Sequence, residues 1–251
     1  DLLANGIKDE RDVAKQIALV EEMIAQKVDA LVIAPADSKA LVSVCKKALD
    51  AGLVVVNIDN KLGADALKEK GVAIPFVGPD NRKGARLAGE CLAKQLQAGD
   101  QVAIVEGIPN ALNGVLRRQG FEDAAKAAGL VVATSQTAYW ETDKAEKLVS
   151  AMITQQPALK AVLCANDSMA LGAVAALKAA GKLDAVRVVG FDNISAIQAL
   201  IKDGKVLCTV DQHADQIAVF GILHALDLLQ GKTPPADKET PVDLITAQDL
   251  K

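Results

Sequence analysis

Short aliphatic runs that alternate with segments of helix length constrain this chain more than any other feature. "DALVIAP" (29–35) precedes "SKALVSVCKKALDAG" (38–52), "VVVNID" (54–59) follows it, and "AIPFVG" (73–78) leads into a helix-period segment over 81–99. "QVAIVEG" (101–107), "VVATSQTAY" (131–139), "KAVLCAN" (160–166) and "VRVVGFD" (186–192) are each followed in the same way. Strands apolar on both faces and joined by helices belong in a parallel sheet covered on both sides, the α/β class. Gly52, Gly99, Gly129, Gly181 and Gly204 stand where those helices should stop, because glycine takes the left-handed turn after a helix without a Cβ clash. The alternation runs twice, with a change of character between 79 and 100, which predicts two similar lobes. A long helix over 214–231 carries the chain back to the first lobe, "LQGKTPPADKETP" (229–241) reads as a polar linker, and "NKLGADALKEKG" (60–71) reads as a polar loop.

Five of the apolar runs end on an acid beside an amide: Asp59 and Asn60, Asp80 and Asn81, Asn166 and Asp167, Asp192 and Asn193, Asp211 and Gln212. Open α/β sheets bind ligands beyond the carboxyl ends of their strands, so these residues are expected to line a common crevice. Asp and Asn also cap helices. Asp80, Asn81 and Asp167 suit capping, since a helical pattern starts at once after them. Asp59, Asn166, Asp192 and Gln212 are the stronger binding candidates. A carboxylate accepts several hydrogen bonds and an amide both donates and accepts, which matches the vicinal hydroxyls of a sugar or polyol. Each such bond to a charged group is worth roughly 1.5–3 kcal/mol. Trp140, the only tryptophan, sits between a strand and a helix in "TAYWETD". It is either an apolar wall for the C–H face of a sugar or a plug at a helix start.

Composition removes several function classes. No apolar stretch approaches the roughly 20 residues that span a bilayer, and no signal peptide is visible. A net charge of −4 without a basic patch, and 2% aromatic residues, argue against nucleic acid as a partner. The four cysteines, Cys45, Cys91, Cys164 and Cys208, have neither a CxxC pair nor metal-ligand spacing. They read as small buried hydrophobes, and no metal or cofactor is expected. His213 and His224 stand apart from any partner cluster. There is no GxSxG elbow, no Walker loop and no GxGxxG after a strand. Asp59 and Asp192 could be imagined as a glycosidase pair, but nothing marks a raised-pKa acid. The expectation is a binding protein and not an enzyme.

"DALVIAPADSKAL", "NIDN", "GPDNRKGARLAGE", "GFEDAAKAAG", "CANDSMALGAVAALKAAGK", "VVGFDN" and "VDQHADQIA" together resemble the periplasmic ribose-type sugar-binding proteins, the solute-binding components of bacterial ABC importers. The resemblance covers nearly the whole chain. It implies the type I periplasmic binding protein fold: two Rossmann-like lobes with parallel sheets, joined by a three-strand hinge and closing on a monosaccharide or sugar alcohol. The lobes would be 1–78 plus 213–243 and 79–212 plus 244–251. By resemblance Asp59 is the sugar-binding aspartate of the first lobe, and Asn60 stands where the family often has Arg. Trp140 matches an aromatic that stacks on the sugar, and Asn166, Asp192 and Gln212 match hydroxyl binders of the second lobe. Val115 stands where a second-lobe arginine usually sits. Asn110 and Asn113 lie close enough to substitute, and Arg117 is out of register. These departures point toward a different pentose, a hexose or an acyclic polyol. The family also begins with a strand and a helix ahead of this start, so "DLLANG" reads as the edge of the second strand, and an upstream segment of roughly 30–45 residues is expected from the length of one βα unit. Further implications are a periplasmic location, a membrane permease and a chemoreceptor as partners, and a monomer without cofactor. The alternative is the effector-binding core of a LacI-type repressor, which shares the fold.

Overall fold

A computed structural model describes residues 1–233 and 236–250. Pro234 and Pro235, at the centre of the expected linker, and Lys251, at the end of the expected second lobe, lie outside the described residues. The chain begins with α1 (Val13–Ala25), β1 (Ala30–Ile33), α2 (Val42–Asp50), β2 (Val54–Ile58), α3 (Ala64–Lys70) and β3 (Phe76–Pro79). It continues through α4 (Asn81–Ala93), β4 (Gln101–Glu106), α5 (Leu112–Ala127), β5 (Val131–Thr137), α6 (Thr142–Gln155) and β6 (Leu159–Cys164). Then come α7 (Asp167–Ala179), β7 (Arg187–Val189), α8 (Ser195–Lys202), β8 (Thr209–Asp211), α9 (Ala214–Leu229), β9 (Asp237–Thr240) and β10 (Asp243–Ile245). The chain divides into two compact units.

Unit 1 comprises Asp1–Pro79, Asn110–Leu112 and Ala214–Thr240. Its sheet has the order β1-β2-β3-β9 with every pairing parallel. One apolar layer contains Val20 of α1, Leu31, Ile33, Leu41, Val55 and Leu62. A second, smaller one joins Val56 and Val77 to Ala225 of α9. Burial of a Val or Leu side chain contributes about 1.5–3 kcal/mol, so a strand such as β2 is held from both faces. Helix α9 approaches β2 closely at Gly221, where a Cβ would stand 2.5 Å from Ile58 Cγ2. The outward side of α9 leaves Val219, Leu223, Leu226 and Leu229 exposed.

Unit 2 comprises Asp80–Pro109, Asn113–His213 and Pro241–Lys251. Its main sheet runs β5-β4-β6-β7, all parallel. The antiparallel ribbon β10-β8 joins through a bridge between Val189 and Cys208. Fully buried Ile104, Phe121, Val162, Val188 and Phe191 anchor its core. The alternation of apolar strands with helices is thus the doubly covered parallel α/β arrangement that the sequence predicts. The five helix-stopping glycines have φ between 65° and 90°, the left-handed conformation that costs glycine no Cβ clash.

Four local expectations fail. Residues 1–7 hold no strand where a strand edge was expected. The 60–71 loop contains α3, closed by Gly71 at φ 65°. The expected linker contains β9, which pairs with Phe76–Pro79. Its polar sequence hides it, because three of its four residues are exposed and only Thr240 is buried. The expected boundary after residue 243 falls inside β10, whose residues pair with β8 of unit 2.

Candidate functional site

The best-organised polar cluster lies in unit 2, at the carboxyl ends of its strands, and its centre is Arg117. This residue is 3% exposed and sits on α5. Its Nε donates to Asn81 Oδ1 at 2.8 Å, Nη1 to the Ala165 carbonyl at 2.9 Å and to Asp192 Oδ1 at 3.4 Å, and Nη2 to Gln212 Oε1 at 3.2 Å. Gln212 Nε2 donates in turn to Asp192 Oδ1 at 2.7 Å. The guanidinium lies 3.7 Å from the centre of the Phe191 ring and 5.5 Å from that of Trp140. A planar guanidinium offers five N–H donors in a fixed fork. Four are engaged by these partners, so one Nη2 hydrogen has no acceptor among the described residues. Arg117 is out of register with the expected arginine position, and Val115, which occupies that position, is only half-buried. The signal in the sequence is an arginine on α5 between Gly114 and Gly120, two positions that let neighbouring groups approach the helix closely.

Asp192 and Gln212 are therefore brought together, as expected, and both remain partly exposed. Trp140 joins them through Arg117. Its ring rests on Gly107, where a Cβ would meet ring carbons at 2.0–2.3 Å, and passes close to Gly114. Its indole Nε1 is buried without a hydrogen-bond partner among the described residues. Asn166 plays the part that was given to Asp167. Its Oδ1 caps α7 by accepting from Met169 N at 2.8 Å, and its Nδ2 donates to the Trp140 carbonyl at 3.4 Å. Asp167 is not a cap. It is fully buried, and its carboxylate accepts from Thr209 Oγ1 at 2.8 Å and from Ile194 N at 2.9 Å. Burial, with the Asp192 charge as a lesser cause, raises its pKa to about 7. Asp80 does cap α4, accepting from Lys83 N at 3.0 Å. Asn113 is buried, and its Oδ1 accepts from the adjacent Gly114 N.

Asp59, Asn60 and Asn110 belong to unit 1. Asp59 follows β2 in a turn that two amides hold. Asn57 Nδ2 donates to the Asn60 carbonyl at 2.8 Å, Asn60 Nδ2 donates to the Pro35 carbonyl at 2.7 Å, and Asn60 Oδ1 accepts from Ser38 Oγ. Asn60 is thus a buried brace that presents Asp59, which is partly exposed. Asn110 is exposed, and its carbonyl accepts from Ser38 N.

The backbone marks the same strand ends. Asp59 after β2, Trp140 after β5, Asp192 after β7 and His213 after β8 have φ of 60°, 67°, 116° and 52°. Such conformations cost non-glycine residues about 1–3 kcal/mol each and persist where the surroundings impose them, often at functional sites. No group of His, Cys, Asp and Glu among the described residues could hold a metal ion.

Comparison with known proteins places this geometry. The periplasmic binding protein domain matches residues 4–233. The D-ribose/D-allose-binding protein of Pseudomonas aeruginosa is 57% identical over 98% of this chain and 79% of its own length. The ribose import binding protein RbsB of Escherichia coli is 34% identical over 92% of this chain and 75% of its own. Among solved structures, an ABC transporter solute-binding protein of Burkholderia multivorans with an unknown ligand superposes with a TM-score of 0.95, at 57% identity over 98% of this chain and 87% of that one. One from Actinobacillus succinogenes with bound D-allose gives 0.94, at 33% identity over 100% and 88%. With a family match over nearly its whole length and a parallel α/β fold shared with sugar-loaded relatives, the chain belongs to the periplasmic binding protein family, among its ribose-type sugar-binding members.

Proposed function

We propose that this protein binds an aldose bearing the run of like-sided hydroxyls that D-ribose and D-allose share, and delivers it in the periplasm to the membrane permease of an ABC importer. One observation carries the reading for this chain: Asp192 and Gln212, from two different strand ends, are both fixed by the same buried Arg117. Donors and acceptors held in place before the ligand arrives lose little freedom on binding. The uncommitted Nη2 hydrogen of Arg117 and the unpartnered Nε1 of Trp140 add donors, and the indole offers an apolar surface for C–H groups. Asp59, presented by Asn60, is a further candidate acceptor. Asn110 and Asn113 serve as supporting residues, and Asn166 holds the Trp140 turn. Binding is the whole activity, with no chemical step. The protein works as a monomer, with the permease and a chemoreceptor as macromolecular partners. The relatives named above are sugar-binding and transport proteins, and none is a LacI-type repressor.

The test is a titration followed by the fluorescence of the single tryptophan, against D-ribose, D-allose, other pentoses and hexoses, and myo-inositol. A saturable change with D-ribose or D-allose is expected. A flat response to every compound, repeated by calorimetry on folded protein, overturns the proposal.

A further inference from the structure

The four cysteines do not share one environment. Cys45 and Cys164 are deeply buried on separate elements, α2 and β6, and burial pushes the Cys45 thiol up to about 12 and raises that of Cys164 further. Cys91 on α4 and Cys208, the residue before β8, lie on the two sides of the packed contact between these elements. Cys208, on the residue before β8, directs its thiol at the Ala88 carbonyl of α4 at 3.9 Å. Ala88 and Cys91 are three residues apart on one helix, hence on one face, and Cys91 packs against the core that contains Cys208. The Cys208 thiol beside it lowers the pKa of Cys91 to about 7, against the effect of its own burial and with help from Lys94. The same contact and deep burial raise that of Cys208. Cys91 is partly exposed and Cys208 is buried, which divides the pair into a reachable thiol and a protected one.

We propose that Cys91 and Cys208 form an oxidant-accessible dithiol that closes to a disulfide stapling α4 to β8. The spacing in sequence hides it, since 91 and 208 lie far apart and no CxxC is present. The reaction needs a disulfide as oxidant, of low molecular weight or carried by a thiol-oxidising protein, and the periplasm is an oxidising compartment. The Cys91 thiolate attacks one sulfur of that disulfide and expels a thiolate. Cys208 then gives up its proton, attacks the Cys91 sulfur and expels the second thiolate. Two protein thiols are oxidised and one disulfide is reduced to two thiols, with all electrons accounted for. Thiolate fraction and access favour Cys91 as the entry point. The staple would fix the end of unit 2 that carries Gln212, because Cys208 lies on the strand that leads to it.

The experiment uses the full chain, purified reduced, incubated with oxidised glutathione, then denatured, alkylated and mapped by peptide mass spectrometry. The expected result is a linked Cys91–Cys208 peptide, a chain mass lower by about 2 Da for the two hydrogens lost, and alkylation confined to Cys45 and Cys164. The C208A variant should keep glutathione on Cys91, since the resolving thiol is gone, and C45S should form the same link as the parent. Four alkylated cysteines in the parent, or glutathione retained on Cys91 in the parent as in C208A, overturns the proposal.

Discussion

Arg117 holds its guanidinium carbon over the Phe191 ring, 3.7 Å from the ring centre, while it donates to Asp192 and Gln212. The cation thus lies over an aromatic ring, and its donors are divided between Asn81 and the Ala165 carbonyl on one hand and the candidate binding groups on the other. A buried charge paired in this way is costly to break from one side.

Arg117→Ala should therefore destabilise the fold by about 1–3 kcal/mol for each buried acceptor it leaves unpaired, Asn81 Oδ1 and the Ala165 carbonyl. Chemical denaturation measures this. Arg117→Lys keeps the charge and loses the fork. It should recover part of the stability while the affinity for D-ribose or D-allose stays at least tenfold below the parent, about 1.4 kcal/mol.

Gln212→Ala and Asp192→Asn each remove one member of the pair at 2.7 Å. Each should weaken sugar binding by roughly ten- to a hundredfold, given about 1.5–3 kcal/mol per charge-assisted bond. Asp59→Asn tests the candidate acceptor after β2, and weaker sugar binding is expected. Unchanged dissociation constants for Asp59→Asn would remove that residue from the site.

Gly107→Ala places a methyl group 2.0 Å from the Trp140 ring, well inside contact distance. Either the ring or the strand end must shift. The expected readout is a changed tryptophan emission spectrum in the free protein together with weaker sugar binding. A spectrum identical to the parent would mean that the ring is not seated on Gly107.

Asp167 gives a pH dependence with a definite sign. Its pKa rises from an ordinary 3.8 to about 7 in the folded chain, so the folded state holds the proton more tightly than the unfolded state. The corresponding stability is complete below about pH 4 and is lost as pH rises through about 7, with a ceiling on the order of 4 kcal/mol from 1.36 kcal/mol per unit. The difference in unfolding free energy between the parent and Asp167→Asn should shrink from pH 4 to pH 8. A constant difference would show that Asp167 does not titrate in this range.

What was legible in the sequence was whatever a local pattern controls. Apolar runs, helix periods and stop glycines each depend on a few neighbours, and they locate the parallel sheets. The strand-end polar pairs also pointed to Asp192 and Gln212. The cap of α7 is expected at Asp167 and found at Asn166 because the two are adjacent and of similar type. Which one caps α7 depends on a one-residue shift in where the strand stops, and sequence does not show that. Arg117 was missed because its importance comes from partners at 81, 165, 192 and 212, none of them close in sequence. Strands β9 and β10 lack the apolar signal because burial on them is slight.

The left-handed backbone at Asp59 and Asp192 has a cost that selection for stability alone would remove. Glycine at either of these positions would relax the turn and lose the side chain. Stability and ligand recognition are therefore set against each other at the strand ends, and a library screened only for thermal tolerance should drift toward glycine there while its members stop binding sugar.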